Sequence, residues 1–373
     1  MRKKILCIFG TRPEAIKFAP LVKALYARKE FETKIVVTGQ HREMLDQVLS
    51  FFNIKPDYDL NLMKKNQTLF DITADSLKGL EQILEVAQPD LIFVQGDTTT
   101  AFVGALAGYY KKIQIAHLEA GLRSHDKFAP YPEEINRTLI SPLTDYHFAP
   151  TWKSKENLVK ESITENVFVV GNTVIDALYL GLEIIENTHE KTFLKQFSFI
   201  DFKKKIILIT GHRRENLGES FENMCFAMRD IVKQNPDVDL IYPMHLNPKV
   251  REPVLRLLKN HDRIHLIEPL EYPEMIWMMK QSYLVLTDSG GVQEEAPALG
   301  KPVLVMRDVT ERQEGVDAGT AKLVGTNYDV ILATTNQLIH NQGAYNKMAQ
   351  SINPYGDGKT SQKIIELLLK EVS

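Results

Sequence analysis

The chain has 373 residues, a formal net charge of −3 and a sequence pI near 6.4. This length suits two domains, and a composition of 44% hydrophobic and 25% charged residues is typical of a soluble globular protein. The weakly acidic balance argues against a nucleic-acid partner, and no apolar run approaches the length that would span a membrane.

The cysteines and the amino-terminal segment indicate a cytoplasmic protein. Cys7 and Cys225 are the only cysteines, which favours thiols in a reducing compartment over a disulfide framework. The segment Met1–Lys4 runs directly into an apolar, strand-like stretch and lacks the pattern of a signal peptide. We therefore expect a cytoplasmic protein with no membrane partner.

Short runs rich in Ile, Val, Leu and Phe alternate with segments of helical period, of which Ala15–Arg28 and Leu69–Val86 are the clearest. Continuous apolar runs are typical of strands that are buried on both faces of a parallel sheet. The predicted strands are Lys4–Phe9, Lys34–Thr38, Leu91–Gln95, Gln114–Leu118, Tyr146–Ala149, Val167–Val170, Ile206–Thr210, Asp239–Pro243, Ile264–Ile267, Tyr283–Thr287 and Val303–Met306. This α/β alternation predicts two doubly wound, Rossmann-like domains.

The boundary between the two domains is predicted near residue 170, where a strand ends in Gly171-Asn172. We assign residues 1–170 to the first domain and residues 171–356 to the second. The segment Asp357–Glu371 is expected to form a closing amphipathic helix, because its apolar side chains cluster at helical spacing.

Glycine, histidine or charged residues follow nearly every predicted strand. In an open parallel sheet, ligands bind outside the carboxyl ends of the strands. We therefore expect these residues to lie at the carboxyl-terminal edges of both sheets and to line one interdomain cleft. The segments are Gly10-Thr11-Arg12-Pro13, Gly39-Gln40-His41, Gly96-Asp97-Thr98, Glu119-Ala120-Gly121, Gly211-His212-Arg213-Arg214-Glu215, His245, Glu268 and Asp288-Ser289-Gly290-Gly291.

Two of these loops are candidate anion cradles. Ser289-Gly290-Gly291 leads into a helix whose backbone N–H groups could approach an anion, although a tight turn explains the same residues equally well. In the other loop, Pro13 suits the first position of a helix. Arg12 and Lys17 place cations near that helix start, which is unfavourable unless an anion lies beside them. Neither loop matches a dinucleotide or ATP fingerprint.

Three carboxylates are candidates for general acid and base catalysis: Asp97, Glu119 and one of the pair Glu133-Glu134. Asp97 could instead cap the helix that follows it. The residues after Glu119 give it no such capping role. We expect Glu134 to be an exposed neighbour.

The histidines lack compact metal-ligand spacing and there is no cysteine cluster, so we expect no metal site. His212 lies between Gly211 and Arg213 and fits a donor that faces an anion. His117 lies within an apolar strand and is expected to be a core histidine, and the role of His245 stays open.

The ordered motifs of the chain resemble those of the bacterial non-hydrolysing UDP-N-acetylglucosamine 2-epimerases. Their order through the whole chain makes the resemblance specific. The segments are Phe9–Lys17, Gln95–Thr100, Leu118–Arg123, Pro132–Arg137, Gly171–Ala177, Gly211–Glu215, His245–Pro248, Asp288–Pro297 and Asn353–Gly358.

The resemblance implies a GT-B-like fold, with the active site in the interdomain cleft and a final helix, about residues 357–373, that packs back on the first domain. It implies reversible conversion of UDP-N-acetylglucosamine to UDP-N-acetylmannosamine by elimination and re-addition of UDP through 2-acetamidoglucal. It also implies a homodimer without metal or cofactor, whose product would supply cell-envelope or capsule polysaccharide.

The resemblance further implies roles for individual residues. Asp97, Glu119 and Glu133 would be the catalytic carboxylates, with the order of proton transfer open, and His212 would act on the diphosphate side. The implied nucleotide contacts are Arg12, Lys17, Ser289, Gly290 and Gly291 to phosphate, Glu295 to the ribose, Arg312 to the nucleotide, and the loop Leu270–Met275 to uracil.

The chain also departs from the family pattern. Gln313 stands where many members have proline. Gln40, His41 and His245 fit a second, activating substrate site of the family, but Glu43 and Asn66 stand where some regulated members have Gln and Arg.

Four alternatives remain: a hydrolysing epimerase, an epimerase of a modified UDP-N-acetylhexosamine, a GT-B glycosyltransferase and a non-catalytic nucleotide-sugar sensor. The three matched carboxylates argue against the last two. The fold alone separates none of them, because one fold hosts many functions.

Overall fold

The computed structural model describes residues 2–39, 42–63, 67–213 and 216–372. The chain forms two compact units, Met1–Leu180 with Tyr355–Ser373, and Gly181–Pro354. The chain leaves the first unit later than the predicted boundary at residue 170, because one unbroken helix, Thr173–Thr188, carries it into the second. Within the described ranges, no helix is long and apolar enough to cross a membrane.

The first unit is built on a parallel sheet. Its seven described strands lie in the order β3-β2-β1-β4-β5-β6-β7, as expected for a doubly wound sheet. The strands are β1 (Lys3–Phe9), β2 (Phe31–Val37), β3 (Tyr58–Asp59), β4 (Leu91–Gln95), β5 (Gln114–Leu118), β6 (Tyr146–Ala149) and β7 (Val167–Val169).

Helices alternate with these strands. They are α1 (Arg12–Tyr26), α2 (Arg42–Phe51), α3 (Leu69–Ala87), α4 (Thr99–Tyr110), α5 (Glu133–Ile140), α6 (Trp152–Lys160) and α7 (Thr173–Thr188). Two glycines let α4 lie close to β4, since a β-carbon at Gly104 or Gly108 would come within 3.0 Å of Val94 or Ile92, respectively. This packing fixes the start of α4 beside the carboxyl end of β4.

The second unit repeats the plan with six described strands in the order β10-β9-β8-β11-β12-β13, all paired in parallel. The strands are β8 (Lys205–Thr210), β9 (Val238–Pro243), β10 (Ile264–Ile267), β11 (Leu284–Thr287), β12 (Val303–Val305) and β13 (Ala321–Leu323). The helices are α8 (Glu190–Gln196), α9 (Glu219–Gln234), α10 (Pro248–Leu258), α11 (Tyr272–Gln281), α12 (Gly290–Ala298), α13 (Gln313–Asp317), α14 (Tyr328–His340) and α15 (Gln342–Ala349).

The chain returns to the first unit and ends in α16 (Thr360–Val372), which contacts α1. Ile364, Ile365 and Leu368 on α16 are buried. The buried carboxylate of Asp176 accepts hydrogen bonds from the first two backbone N–H groups of α16, at 3.2 and 2.7 Å. These N–H groups have no partner within the helix, so Asp176 supplies the cap.

The predicted strands Leu91–Gln95, Gln114–Leu118, Tyr146–Ala149 and Ile264–Ile267 are confirmed residue for residue. The other predicted strands are confirmed with shifted ends. Strands β3 and β13 are not among the predicted strands; they have two and three residues and lie at sheet edges. Such short edge strands carry no apolar run that a sequence pattern could detect.

Gly121, two residues after Glu119, allows the loop after β5 to pass close to α6. Its φ is +88°, and a β-carbon there would overlap the Ser154 carbonyl group, with the carbonyl carbon at 2.8 Å. Gly39 also has a positive φ, +70°, but the nearest atom to a β-carbon there is at an ordinary 3.5 Å. Comparing substitutions at the two glycines therefore distinguishes the cost of a left-handed backbone, present at both, from steric overlap, present only at Gly121.

We predict that Gly39→Ala lowers the free energy of unfolding by about 1–2 kcal/mol, the cost of left-handed backbone for an L-residue. Gly121→Ala should lower it by about 2–5 kcal/mol, because overlap with backbone atoms adds to the same strain. Urea titrations followed by circular dichroism would measure both values. Equal losses in the two variants would contradict the close approach at Gly121.

Candidate functional site

Strands β1, β4 and β5 are neighbours in the first sheet and run parallel, so their carboxyl ends lie along one edge. Gly10, Asp97 and Glu119 follow these strands within two residues. The structure therefore brings together the predicted carboxylates that follow β4 and β5. His117, on β5 itself, is buried and contacts the Gly96 carbonyl oxygen at 2.7 Å, which confirms it as a core histidine.

Glu119 is the most heavily hydrogen-bonded of these carboxylates. Its side chain is 6% exposed, and the Lys17 ammonium donates to both of its oxygens at 2.6 Å. Gln95 Nε2 donates to Oε2 at 2.5 Å, and Asn172 Nδ2 donates to Oε1 at 3.1 Å. A buried charge that is paired and hydrogen-bonded in this way is kept ionised.

The contact with Glu119 explains the position of Lys17 near the start of α1. From the sequence, an anion is expected beside this cation near the start of α1, and the resemblance implies that it is a ligand phosphate. In the structure the anion is the Glu119 carboxylate. The pair explains how a lysine is tolerated in the second turn of α1 without a bound anion.

Asp97 is held by α5. Arg137 Nη2 donates to its carboxylate at 2.5 Å, and Asn136 Nδ2 donates to its backbone carbonyl oxygen at 2.8 Å. The alternative that Asp97 caps the next helix is wrong, because the cap of α4 is Thr98, whose hydroxyl accepts from Ala101 N at 3.0 Å. The Asp97 side chain stays 26% exposed and accessible to a ligand.

The expectation that Glu134 is exposed is wrong. Glu134 is buried and accepts hydrogen bonds from the backbone N–H groups of Ser124 and His125, both at 2.9 Å. Arg137 Nη1 also donates to it at 3.1 Å. Burial alone would raise the pKa of Glu134, but these hydrogen bonds hold it below the usual value. Glu134 thus anchors the arginine that holds Asp97.

Glu133 differs from its neighbours. It is the first residue of α5 and is half-buried. Its Oε2 atom is buried and has no hydrogen-bond partner within the part of the chain that the structure describes. A carboxyl oxygen without a competing donor keeps its capacity to accept or deliver a proton.

Glu14 is a residue that the sequence analysis missed. It is buried and accepts from Gly10 N, Thr11 N and the Thr11 hydroxyl at 2.8–3.0 Å, and from the Thr98 hydroxyl at 2.6 Å. It therefore ties the loop after β1 to the loop after β4, and burial raises its pKa. The capping-box spacing from Thr11 to Glu14 was the available signal.

Arg12 is the first residue of α1 and is half-buried, so the predicted first helical position belongs to Arg12 and Pro13 is the second. The Arg12 guanidinium therefore starts from the amino-terminal turn of α1, beside the loop that Glu14 holds. This placement allows it to reach an anion at that helix start.

In the second unit, Ser289 is the cap residue of α12, and Gly290 and Gly291 form its first turn. A β-carbon at Gly290 would lie 3.5 Å from the guanidinium carbon of Arg312, so this guanidinium lies against the helix start. Arg312 Nε also pairs with the buried Glu294 at 2.7 Å. A helix amino terminus beside an arginine is a favourable anion site.

His212 lies at the end of β8. Its backbone N–H and that of Arg213 donate to the fully buried Asp288, both at 2.8 Å. The His212 ring stacks on His245, with centroids 4.9 Å apart and planes at 7°. Partial burial lowers the pKa of His212 against the opposing attraction of Asp288, and His245 and Arg213 lower it further. His212 is therefore neutral at pH 7.

Glu295 lies on α12 and is buried. Burial and the nearby Glu295 carboxylate raise the pKa of Tyr272 well above its usual value, so the two side chains are neighbours. Tyr272 begins α11, within the loop Leu270–Met275 that the resemblance assigns to uracil. The predicted ribose and uracil contacts are thus close in the second unit.

Five residues named in the sequence analysis lie outside the described residues: Gln40, His41, Asn66, Arg214 and Glu215. Across residues 2–39, 42–63, 67–213 and 216–372, no group of three or more histidine, cysteine or acidic side chains is arranged to hold a metal ion.

We predict that His212 titrates below the usual histidine range in the free protein and that His245→Gln moves its titration to higher pH. Removing the stacked ring exposes His212 to water and removes the repulsion of a second imidazolium. Two-dimensional NMR of ¹⁵N-labelled histidine side chains would measure both midpoints. A midpoint that is unchanged in His245→Gln would contradict the coupling of the two rings.

The comparisons with known proteins agree along the whole chain. The family model described as UDP-N-acetylglucosamine 2-epimerase matches residues 23–369. The UDP-N-acetylglucosamine 2-epimerase of Campylobacter jejuni is 54% identical over 378 residues, which are 99% of this chain and 98% of that protein.

Solved structures give the same result. The crystal structure of the Neisseria meningitidis UDP-GlcNAc 2-epimerase bound to UDP-GlcNAc is 51% identical, with a TM-score of 0.90 over 98% of this chain and 100% of that one. The Methanocaldococcus jannaschii enzyme in complex with UDP-GlcNAc and UDP is 36% identical, with a TM-score of 0.79 over 98% and 99%. These matches confirm the predicted GT-B-like class with two Rossmann-like domains. The chain belongs to the UDP-N-acetylglucosamine 2-epimerase family.

Proposed function

We propose that this protein is an isomerase that interconverts UDP-N-acetylglucosamine and UDP-N-acetylmannosamine without hydrolysis. The observation that carries the proposal is that, in a member of this family, carboxylates Asp97 and Glu119 follow adjacent strands and Glu133 starts α5. Epimerisation at a carbon bearing a weakly acidic proton needs such groups for proton transfer.

The proposed reaction is an elimination followed by an addition. A base removes the proton from carbon 2 while the bond from carbon 1 to the UDP oxygen breaks, which leaves 2-acetamidoglucal and UDP. A proton then returns to carbon 2 on the opposite face, and the UDP oxygen adds to carbon 1. Atoms balance without an oxidant, a reductant or water.

The carboxylates of the first unit would have different roles in this proton transfer. Asp97 pairs with Arg137 and Glu119 pairs with Lys17 at short distance. Glu133 has a buried oxygen without such a partner in the described structure. We therefore assign proton transfer to Glu133 first, with Asp97, which stays partly exposed, as the second proton-transfer group.

Residues of the second unit would hold the nucleotide. Ser289, Gly290 and Gly291 present the amino terminus of α12 to the diphosphate, and Arg312 adds a positive charge beside it. Neutral His212 can donate one hydrogen bond to the departing diphosphate. Glu295 would accept from the ribose hydroxyls, and Arg12 of the first unit would contact phosphate.

We also propose that the protein acts as a cytoplasmic homodimer whose product feeds cell-envelope or capsule polysaccharide. Both cysteines are buried and unpaired, which suits a reducing compartment. UDP, UDP-N-acetylglucosamine and UDP-N-acetylmannosamine would be its small-molecule partners.

The first experiment is proton NMR of the protein with UDP-N-acetylglucosamine in deuterated water. We expect UDP-N-acetylmannosamine with deuterium at carbon 2 and no accumulation of UDP, because the intermediate stays bound. Free N-acetylmannosamine with UDP would identify a hydrolysing enzyme. Absence of both exchange and product would contradict the proposed substrate, and modified UDP-N-acetylhexosamines would be tested next.

We expect Asp97→Asn, Glu119→Gln and Glu133→Gln each to lower kcat by about 10²–10⁴-fold, the usual contribution of a general acid or base. In Glu133→Gln, deuterium exchange at carbon 2 should fall as far as epimerisation does. Exposed Glu156 on α6 provides the matched control, and Glu156→Gln should keep the wild-type rate. Near-normal exchange in Glu133→Gln would remove Glu133 from the proton-transfer role.

A further inference from the structure

The Glu119 carboxylate accepts hydrogen bonds from side chains that lie on three other segments of the first unit. Three side chains donate to this carboxylate: Lys17 from α1, Gln95 from the end of β4, and Asn172 from the segment before α7. They are separated from Glu119 by 102, 24 and 53 residues along the chain. We call these four residues the Glu119 clamp.

The backbone of Glu119 adds a second observation. Its φ is +63°, in the left-handed region that residues other than glycine rarely adopt. Strained residues of this kind cluster at functional sites, where the surrounding structure holds them in place. Here the backbone of the following residue is fixed as well, since Ala120 N donates to the Phe148 carbonyl oxygen at 3.1 Å.

Asn172 connects the clamp to the returning end of the chain. Its backbone N–H donates to the Tyr355 carbonyl oxygen at 2.7 Å, and its side-chain oxygen accepts from Val174 N at 3.1 Å. With its oxygen engaged, the amide of Asn172 has its Nδ2 group directed at Glu119. The orientation of Asn172 therefore depends on the segment that precedes α16.

We propose that Gln95 and Asn172 are positioning residues of the epimerisation, which with Lys17 hold Glu119 ionised and in one orientation. In this arrangement Lys17 acts through Glu119 and is not primarily a phosphate contact. The inference rests on the proposed function for its catalytic part. The hydrogen bonds that define the clamp do not depend on which UDP-sugar is turned over.

The catalytic test replaces each amide by a carboxylate of the same shape. Gln95→Glu and Asn172→Asp remove a donor and place a like charge at the Glu119 oxygens. We expect kcat to fall about 100-fold, as for a misplaced catalytic group, while KM changes less than about threefold. The acid limb of the kcat profile should move to higher pH, because like charges favour protonation.

Gln114→Glu is the matched control, because exposed Gln114 begins β5, the strand that Glu119 follows. It makes the same chemical change outside the clamp, and we expect wild-type kcat, KM and pH profile. Wild-type kinetics in both Gln95→Glu and Asn172→Asp would overturn the proposal. Loss through KM alone, with an unchanged pH profile, would overturn it as well.

Lys17→Met tests the role of the lysine. We expect calorimetric titration with UDP to give a Kd within about twofold of the wild-type value while kcat falls about 100-fold, since the charge acts on Glu119. Arg312→Met, which removes a guanidinium beside the α12 anion site, should weaken UDP binding in the same assay. A Kd for Lys17→Met that rises as much as that of Arg312→Met would make Lys17 a phosphate contact and overturn its part of the proposal.

A double-mutant cycle of thermal stability tests the contacts of the Glu119 clamp without an activity assay. Asn172→Asp should lower the Tm increasingly as the pH rises from about 4 to 7, because the new carboxylate ionises next to Glu119 only above the usual Asp range. Adding Glu119→Gln exchanges donor and acceptor, so the double variant should lose this pH dependence. Additive effects of the two substitutions would show that the residues do not interact and would overturn the clamp.

These readouts separate the two proposals. A wild-type protein that is inactive on UDP-N-acetylglucosamine but shows the coupled stability cycle would contradict the proposed function and keep the clamp. A wild-type protein that is active on UDP-N-acetylglucosamine but shows additive stability effects would support the proposed function and contradict the clamp.

Discussion

Buried carboxylates that must be satisfied by hydrogen bonds hold the loops of the candidate site in place. A carboxylate removed from water is costly unless donors or cations surround it. Glu14, Glu119 and Glu134 each meet this requirement with donors that lie on other loops or helices of the first unit. The need to satisfy these oxygens therefore fixes the loops after β1, β4 and β5 relative to one another. Such preorganisation is what an electrostatically assisted reaction requires.

The second unit uses the same device at the end of β11. Asp288, at the end of β11, is fully buried and accepts from the backbone at the end of the neighbouring β8. In both units the group that is left accessible differs from the group that holds the loops. The His212 ring remains partly exposed although its backbone is bound. Glu133 Oε2 has no hydrogen-bond partner in the described part of the chain, although adjacent Glu134 accepts from two backbone N–H groups. Glu134 and Asp288, which hold loops in place, are thus different residues from Glu133 and His212, which the proposed reaction uses.

The fold could be predicted from the sequence because strands buried on both faces are apolar throughout, and because parallel strands end at one edge. The same rule placed Asp97 and Glu119 in the candidate site, and the resemblance to the family added Glu133, but neither could predict their partners. Lys17 and Glu119 are 102 residues apart, and no spacing rule joins them. Glu133 and Glu134 are adjacent on α5, so their side chains point about 100° apart. Which of them meets the Ser124–His125 backbone depends on a loop whose position only the fold determines.

The cations next to the carboxylates reduce the electrostatic repulsion that the proposed substrate would otherwise meet. A UDP-sugar carries a negatively charged diphosphate, and like charges at short range in a poorly hydrated site repel strongly. Lys17 pairs with Glu119, and Arg137 is shared by Asp97 and Glu134, so these two cations offset part of the charge of the three carboxylates. An anionic nucleotide sugar then meets less repulsion from these carboxylates. On this argument the first proton transfer changes the charge of Glu133, whose buried Oε2 atom has no hydrogen-bond partner among the described residues, while Glu119 stays paired with Lys17 and keeps the local field constant.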